Sequence, residues 1–342
     1  SSAFSNSIGY IFTYDALNRL TAADSKQGDQ LNLPGNYSVQ YSYDKQGNIT
    51  ELSRYRGTNV LCDELSFDYR GNQLIRVSDE AGSQDSYELK EYQDQYSGDN
   101  EEFTYDQNGN MISDLDRNIV RISYNTLNLP ETIEFSNGNK ISHEYLSDGT
   151  KLSTTYSTKL SSIVAPKGTI SPSDIVLNSI NKIYYSKNRE YKKLFRSYDL
   201  TRIRNSEGYY NPNQGFRYYT RDYQGNVRTV YGIDSTETGL QTVTLQRMQY
   251  YPYGLPTDNC YNSAFQPYKY GEKEFIETHG YDVYDYETRM YYPAIGRFMT
   301  MDPMAESYYS ISPYAYCANN PILYVDPSGK VFETAWDVAS FI

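Results

Sequence analysis

Tyr41-Ser42-Tyr43-Asp44-Lys45-Gln46-Gly47-Asn48 is the stretch on which the fold turns. An aromatic strand enters, Asp-x-x-Gly makes a turn, and the glycine supplies a positive φ that residues with a Cβ resist. The chain then returns as Asn48-Ile49-Thr50-Glu51-Leu52, alternating polar and apolar residues as a half-buried strand does. One such unit is a β-hairpin that cannot bury its own apolar face. The unit recurs as Phe103-Thr104-Tyr105-Asp106-Gln107-Asn108-Gly109-Asn110 and, late in the chain, as Tyr218-Tyr219-Thr220-Arg221-Asp222-Tyr223-Gln224-Gly225-Asn226. Looser copies are Phe12-Thr13-Tyr14-Asp15, Leu65-Ser66-Phe67-Asp68-Tyr69-Arg70-Gly71-Asn72 and Ile122-Ser123-Tyr124-Asn125. Asp44, Asp68, Asp106 and Asn125 stand 24, 38 and 19 residues apart, a period near twenty with one interruption. Hairpins at that spacing stack side by side into a long sheet, so the fold class is all-β.

Composition supports this reading. Tyrosine supplies 40 of 342 residues, and a tyrosine suits a pleated, half-buried surface with its ring inside and its hydroxyl on a partner. The net charge of −12 opposes non-specific binding to nucleic acid or to an anionic membrane. No run approaches the ~20 apolar residues of a membrane-spanning helix, and Ser1-Ser2-Ala3-Phe4 shows no signal-peptide pattern. Cys62, Cys260 and Cys317 have neither metal-ligand spacing nor a disulfide framework and read as free buried thiols. No cofactor or metal is expected.

The acid of each repeat reads as a turn former that accepts backbone N–H bonds. Asp106-x-Asn108-x-Asn110 with Asp114 imitates a calcium loop, but Met111 and Arg117 occupy the positions such a loop reserves for Gly and Glu. Lys187, Arg189, Lys192, Lys193, Arg196, Arg202 and Arg204 interleave with Tyr184, Tyr185, Tyr191, Phe195 and Tyr198, a pattern that suits single-stranded nucleic acid but equally a solvated strand face. His143 and His279 are isolated. Residues 155 to 215 are less regular and read as degenerate repeats with loops. Asp302-Pro303-Met304-Ala305-Glu306 predicts one or two helical turns, and the tail from Phe332, with Trp336 and Phe341, predicts a helix start.

Beyond residue 250 the chain becomes a run of short aromatic blocks: Tyr250-Tyr251-Pro252-Tyr253-Gly254, then Tyr284-Asp285-Tyr286-Glu287-Thr288-Arg289-Met290-Tyr291-Tyr292. Gly296-Arg297-Phe298, Met301-Asp302-Pro303, Tyr314-Ala315-Tyr316, Asn319-Asn320-Pro321 and Asp326-Pro327-Ser328-Gly329 follow in order. Aspartates held together share a proton and can activate water against a peptide carbonyl. Asp282, Asp285, Asp302 and Asp326 are the acids available for this, although Asp302 and Asp326 precede Pro and also read as caps.

The repeats and this ordered block together resemble the Rhs (YD-repeat) family, which includes the C components of insecticidal Tc toxins and teneurin-like shells. The resemblance implies stacked YD-repeat hairpins forming a curved or spiral antiparallel sheet, a cocoon-like shell that is expected to be partial here because the repeats are few. Residues 1–215 would be the repeat sheet, 216–330 a C-terminal core or plug, and 331–342 the start of a variable toxin-side region. It implies a secreted or cell-surface bacterial protein that encapsulates and presents a C-terminal toxin in cis, with an immunity protein and a secretion-system component as partners. Self-cutting members carry an aspartyl autoprotease in this core. One catalytic acid matches Asp302; the other normally follows a basic residue shortly after the segment corresponding to Gly271-Glu272-Lys273-Glu274, where this chain has Phe275-Ile276. Asp282 or Asp285 is then the expected partner, with the scissile bond at Lys330–Val331 or nearby. The expected function is the container; the alternatives are a self-cutting enzyme and a tyrosine-rich module that binds cell-surface carbohydrate.

Overall fold

A computed structural model describes residues 8–27, 33–34, 36–57, 59–81, 90–98, 100–159, 179–194, 197–236 and 239–335. The chain is all-β, and helical structure among its described residues is limited to single 3-10 turns and the α-helical residue Ala335. A seven-stranded sheet runs in chain order from Ile8–Tyr14 to Gln73–Asp79, with Leu33–Pro34 as a side branch. A thirteen-stranded sheet follows, from Phe103–Tyr105 to Gly239–Arg247, in which every strand neighbours the one before it. Both are antiparallel meanders, as consecutive hairpins require.

The repeat turns explain the motif atom by atom. Oδ1 of Asp44 accepts the Asn48 backbone N–H at 2.8 Å, and its Oδ2 accepts Asn48 Nδ2 at 2.8 Å. Asp106 repeats this with Asn110, and Asp222 with Asn226. The third residue after the Asp or Asn that opens each turn has positive φ: Gly47, Gly109 and Gly225, but also Asn18 and Asn128, asparagine being the side chain that best tolerates that region. Neighbouring turns are joined by asparagine amides, Asn48 to Asn72 at 2.9 Å and Asn110 to Asn128 at 2.9 Å.

In four of the hairpins a tyrosine near the end of the entering strand has the same task. Tyr43 donates its hydroxyl to the carbonyl of Leu20, Tyr69 to Ile49, Tyr124 to Met111 and Tyr145 to Pro130, at 2.6 to 3.1 Å. In each case the acceptor belongs to the preceding hairpin's returning strand. Phenylalanine would fill the same space and leave that carbonyl unpaired, which accounts for tyrosine at this place.

Residues after 250 pack across both sheets. Leu20 and Leu65 from the first sheet and Ile119 and Ile141 from the second share one core with Tyr284, Tyr291 and Phe298. The block's rings crowd around Tyr316, which lies 4.4 Å from Tyr291 and 5.6 Å from Tyr286, centroid to centroid. Polar ties fix the block in place: Arg54 to the Ala294 carbonyl, Arg297 to Asn72, Asn319 to Gly47 and Arg117 to Tyr281. A four-stranded sheet inside the block carries Glu274–Ile276, Val283–Asp285, Met290–Tyr292 and Arg297–Phe298.

Two local expectations are corrected. Asp68 is not a turn acid: it lies in the strand Val60–Arg70 opposite Arg76, because the hairpin closes later, at Gly71 with φ of 63°. The helix expected in the tail does not begin at Phe332: Glu333–Thr334 pair as a strand with Tyr324–Val325, the first helical residue is Ala335, and Trp336 and Phe341 lie outside the described residues. The turn expected after Asp302 is present as Ala305–Ser307. Position 215 falls where Gly215–Arg221 joins the larger sheet, which continues without a break to Arg247.

Candidate active site

Three strand ends of the terminal block converge on one guanidinium. Arg289 immediately precedes Met290–Tyr292, Asp302 follows Arg297–Phe298, and Asp326 follows Tyr324–Val325. Nη2 of Arg289 lies 2.9 Å from Oδ2 of Asp302 and 3.2 Å from Oδ2 of Asp326. Its Nε donates to the Gly329 carbonyl at 2.5 Å, and its plane covers the Phe298 ring with Cζ 3.6 Å from the centroid. One cation therefore touches both carboxylates and a backbone carbonyl beside Lys330.

The two acids are not equivalent. The Asp326 side chain is 2% exposed and that of Asp302 13%. Asp326 Oδ1 accepts the backbone N–H of Ser328 and Gly329, at 3.1 and 2.6 Å, forming the turn that its Pro-Ser-Gly sequence calls for. Asp302 Oδ1 accepts Met304 N at 2.7 Å, one residue before the short turn. Burial pushes Asp326 above the usual carboxylate range, against the opposing pull of Arg289 and the two N–H groups. Burial also draws Arg289 down while both aspartates draw it back up; a guanidinium between two acids stays cationic. Two carboxylates share one cation, with Asp326 the more buried of the two and Asp302 the one open to water.

Asp302 and Lys330 line a cavity of about 720 Å³ between the block and the larger sheet, together with Glu274, Asp285 and Lys151. Asp285 is held by Lys151 Nζ at 2.5 Å, and the same ammonium takes Glu274 at 2.7 Å. Burial works against the Asp285 charge, but Lys151 outweighs it and holds this acid below its ordinary range. Asp282 bonds Lys90 at 2.8 Å. Arg289 thus joins Asp302 to Asp326, while Asp282 and Asp285 are engaged by lysines of the repeat region. Phe275 and Ile276 are buried packing residues, the former 4.5 Å from Tyr284 ring to ring. Val331 follows Lys330 and is partly exposed. Sequence reasoning counted Asp326 among four candidate acids but gave Arg289 no role; the signal was its place directly before Met290-Tyr291-Tyr292, a lone basic residue in an aromatic strand.

Elsewhere, Arg202 is paired with Glu190 at 2.6 Å and Arg204 stacks over Tyr268, so these two members of the basic segment serve the interface with the block. Arg196 and Phe195 lie outside the described residues. His143 bonds Thr154, and burial brings it down to about 3. Asp106, first acid of the imitation calcium loop, is engaged by its own turn. Asp94, Glu102 and Asp116 form an acidic group whose oxygens lie within 4.8 Å of one another. The protein supplies donors to it: Tyr92 and the N–H of Gln95 and Tyr96 to Asp116, and Val77 N–H to Glu102.

No family model matches the chain. A 115-residue stretch is 35% identical to salivary gland surface protein 1 of Aedes aegypti, covering 33% of this chain and 3% of that protein. Among solved structures, the chain is similar to TcdB2-TccC3 without its hypervariable C-terminal region, with a TM-score of 0.47 at 17% identity over 94% of this chain and 18% of that one. A second TcdB2-TccC3 structure gives a TM-score of 0.46 at 17% identity, over 94% and 19%. The chain thus spans a small part of each of these proteins. No helix among the described residues is long and apolar enough to cross a membrane.

Proposed function

We propose that this chain is part of a Rhs-type shell whose terminal block cuts its own backbone beside Gly329, separating the shell from the toxin-side segment that follows. The observation that carries this reading is the grip of Arg289 on Asp302, Asp326 and the Gly329 carbonyl together. In the reaction, a water from the cavity adds to the Gly329 carbonyl carbon as Asp302 takes its proton. Negative charge developing on the Gly329 oxygen stays on Arg289, a donor aimed at that atom in a largely buried site. Asp326, which enters the reaction protonated, gives its proton to the Lys330 nitrogen as the C–N bond breaks, leaving a carboxyl at Gly329 and an amine at Lys330; the proton taken by Asp302 then restores Asp326. The held carbonyl favours the Gly329–Lys330 bond, one residue before the Lys330–Val331 bond that the resemblance suggests.

The container role rests on the hairpin meander and the block that ties its two sheets together. In this reading the cargo is the chain beyond the cut, in cis, an immunity protein and a secretion-system component are partners, and the protein acts outside a bacterium or at its surface. The repeat sheet extends to Arg247, and the block proper begins near residue 250. Intact mass spectrometry of the 342-residue chain, beside Asp302→Asn, tests the reading. A break after residue 329 or 330 in the parent and none in the variant supports it; an uncut parent leaves a container that keeps its cargo attached.

A carbohydrate-binding reading has one observation of its own. Tyr210, Phe216, Tyr218 and Tyr231 form a continuous ladder, with centroids 5.0 to 6.4 Å apart and Phe216 exposed. Aromatic rows of this kind stack on sugar rings, and binding on a glycan array that Phe216→Ala removes would favour it.

A further inference from the structure

The turn at the cut is held at three successive carbonyls by three different side chains. Lys273 Nζ donates to Pro327 O at 2.6 Å, Thr288 Oγ1 to Ser328 O at 2.7 Å, and Arg289 Nε to Gly329 O at 2.5 Å. The donors come from two places, Lys273 before the strand Glu274–Ile276 and the other two from the loop that precedes Met290–Tyr292. That loop is itself fixed: Glu287 takes a φ of 70° and gives its N–H to Asp285 Oδ1, and Thr288 N–H reaches Tyr286 O at 2.8 Å. Contact is so close that a Cβ on Gly329 would stand 2.7 Å from Thr288 Oγ1 and 2.9 Å from Tyr286 O, and Gly329 has positive φ besides.

We infer that Lys273 and Thr288 are positioning residues that set which peptide bond is cut, by locking the Asp326–Gly329 turn in a single register against Arg289. Carbonyls recur along the backbone, and a cation alone would accept a neighbouring one after a small slide. Two further donors on the two preceding carbonyls remove that freedom, because sliding by one residue breaks all three bonds together. Holding the reacting group in one geometry is a large part of what a catalytic site supplies. This inference rests on the self-cutting reading and adds to it the choice of bond.

Two measurements separate the inference from the reading beneath it. In the Asp302→Asn chain, hydrogen exchange by mass spectrometry over residues 326–332 follows the turn without any cleavage. Thr288→Val, which keeps the shape and removes the hydroxyl, is expected to speed exchange there about fivefold, the loss of one hydrogen bond, while Thr288→Ser restores the parent rate. Unchanged exchange in Thr288→Val overturns the rack. In the cutting-competent chain, Thr288→Val and Lys273→Met are expected to slow the cut about tenfold and to add a second product one residue away, with the pH profile unshifted and rescue by Thr288→Ser and Lys273→Arg. A slower cut at the same single bond, tracking only a lower melting temperature, overturns the positioning role. A parent that never cuts overturns it as well, together with the self-cutting reading, while the exchange experiment still reports on the rack.

Discussion

Aspartate does two different things in this molecule, and the difference lies in its second oxygen. In the repeats, Asp44 and Asp106 give Oδ1 to backbone N–H groups and Oδ2 to the asparagine amide of the same turn. In the terminal block, Asp302 and Asp326 also give Oδ1 to backbone N–H groups, so they too are turn formers. Their Oδ2 atoms instead meet on Arg289. A carboxylate closed on its own turn is structural; the same turn with an oxygen left over can be assembled into a site.

The sharpest way to break this comparison is to exchange acid for amide on both sides. Asp302→Asn and Asp326→Asn are expected to slow self-cutting by about a hundredfold or more, the usual cost of losing a positioned acid or base, read by intact mass over time. Asp44→Asn should leave the cut unchanged, and a loss there would erase the distinction. Asp106→Ala strips its turn of three acceptor bonds and is expected to cost about 1–2 kcal/mol in denaturant unfolding.

The acidic group at Asp94, Glu102 and Asp116 sharpens the comparison from another side, since its donors are mostly neutral. Burial raises Asp116 to about 6 and Glu102 to about 8. Both stand above their ordinary values, so their contribution to stability is present in full below the ordinary carboxylate range and fades as pH rises through 6 to 8. The parent should lose melting temperature relative to Glu102→Gln between about pH 5 and about pH 9; parallel curves would refute the assignment. The smallest effect is expected at Tyr124→Phe, about 1 kcal/mol for the unpaired Met111 carbonyl, with the cut unaffected.

Much of the fold was legible because its unit is local. Asp44 to Asn48 contains its own instructions, and the alternation around it fixes which face turns inward. Asp68 escaped because the closing glycine alone, not the acid, decides where that hairpin turns. The four candidate acids were also visible, but their pairing was not, since Arg289, Asp302 and Asp326 meet only through the packing of three separate strand ends. Periodicity says nothing about such a meeting. Nor does it say that Lys151 and Lys90, far earlier in the chain, engage Asp285 and Asp282 and so withdraw them.

The chain-order meander also has a consequence in time. Each hairpin finds its neighbour in the residues made just before it, so the sheets can assemble while synthesis proceeds, N-terminal units first. The terminal block cannot. Asn320 must reach Asn18, 302 residues upstream, and the Ser312 N–H must find Gln46. Asp302 and Asp326 therefore come together late, after the walls that receive them are standing. A cluster built from residues of the terminal block, and seated only against finished walls, is the last part of the molecule to be completed.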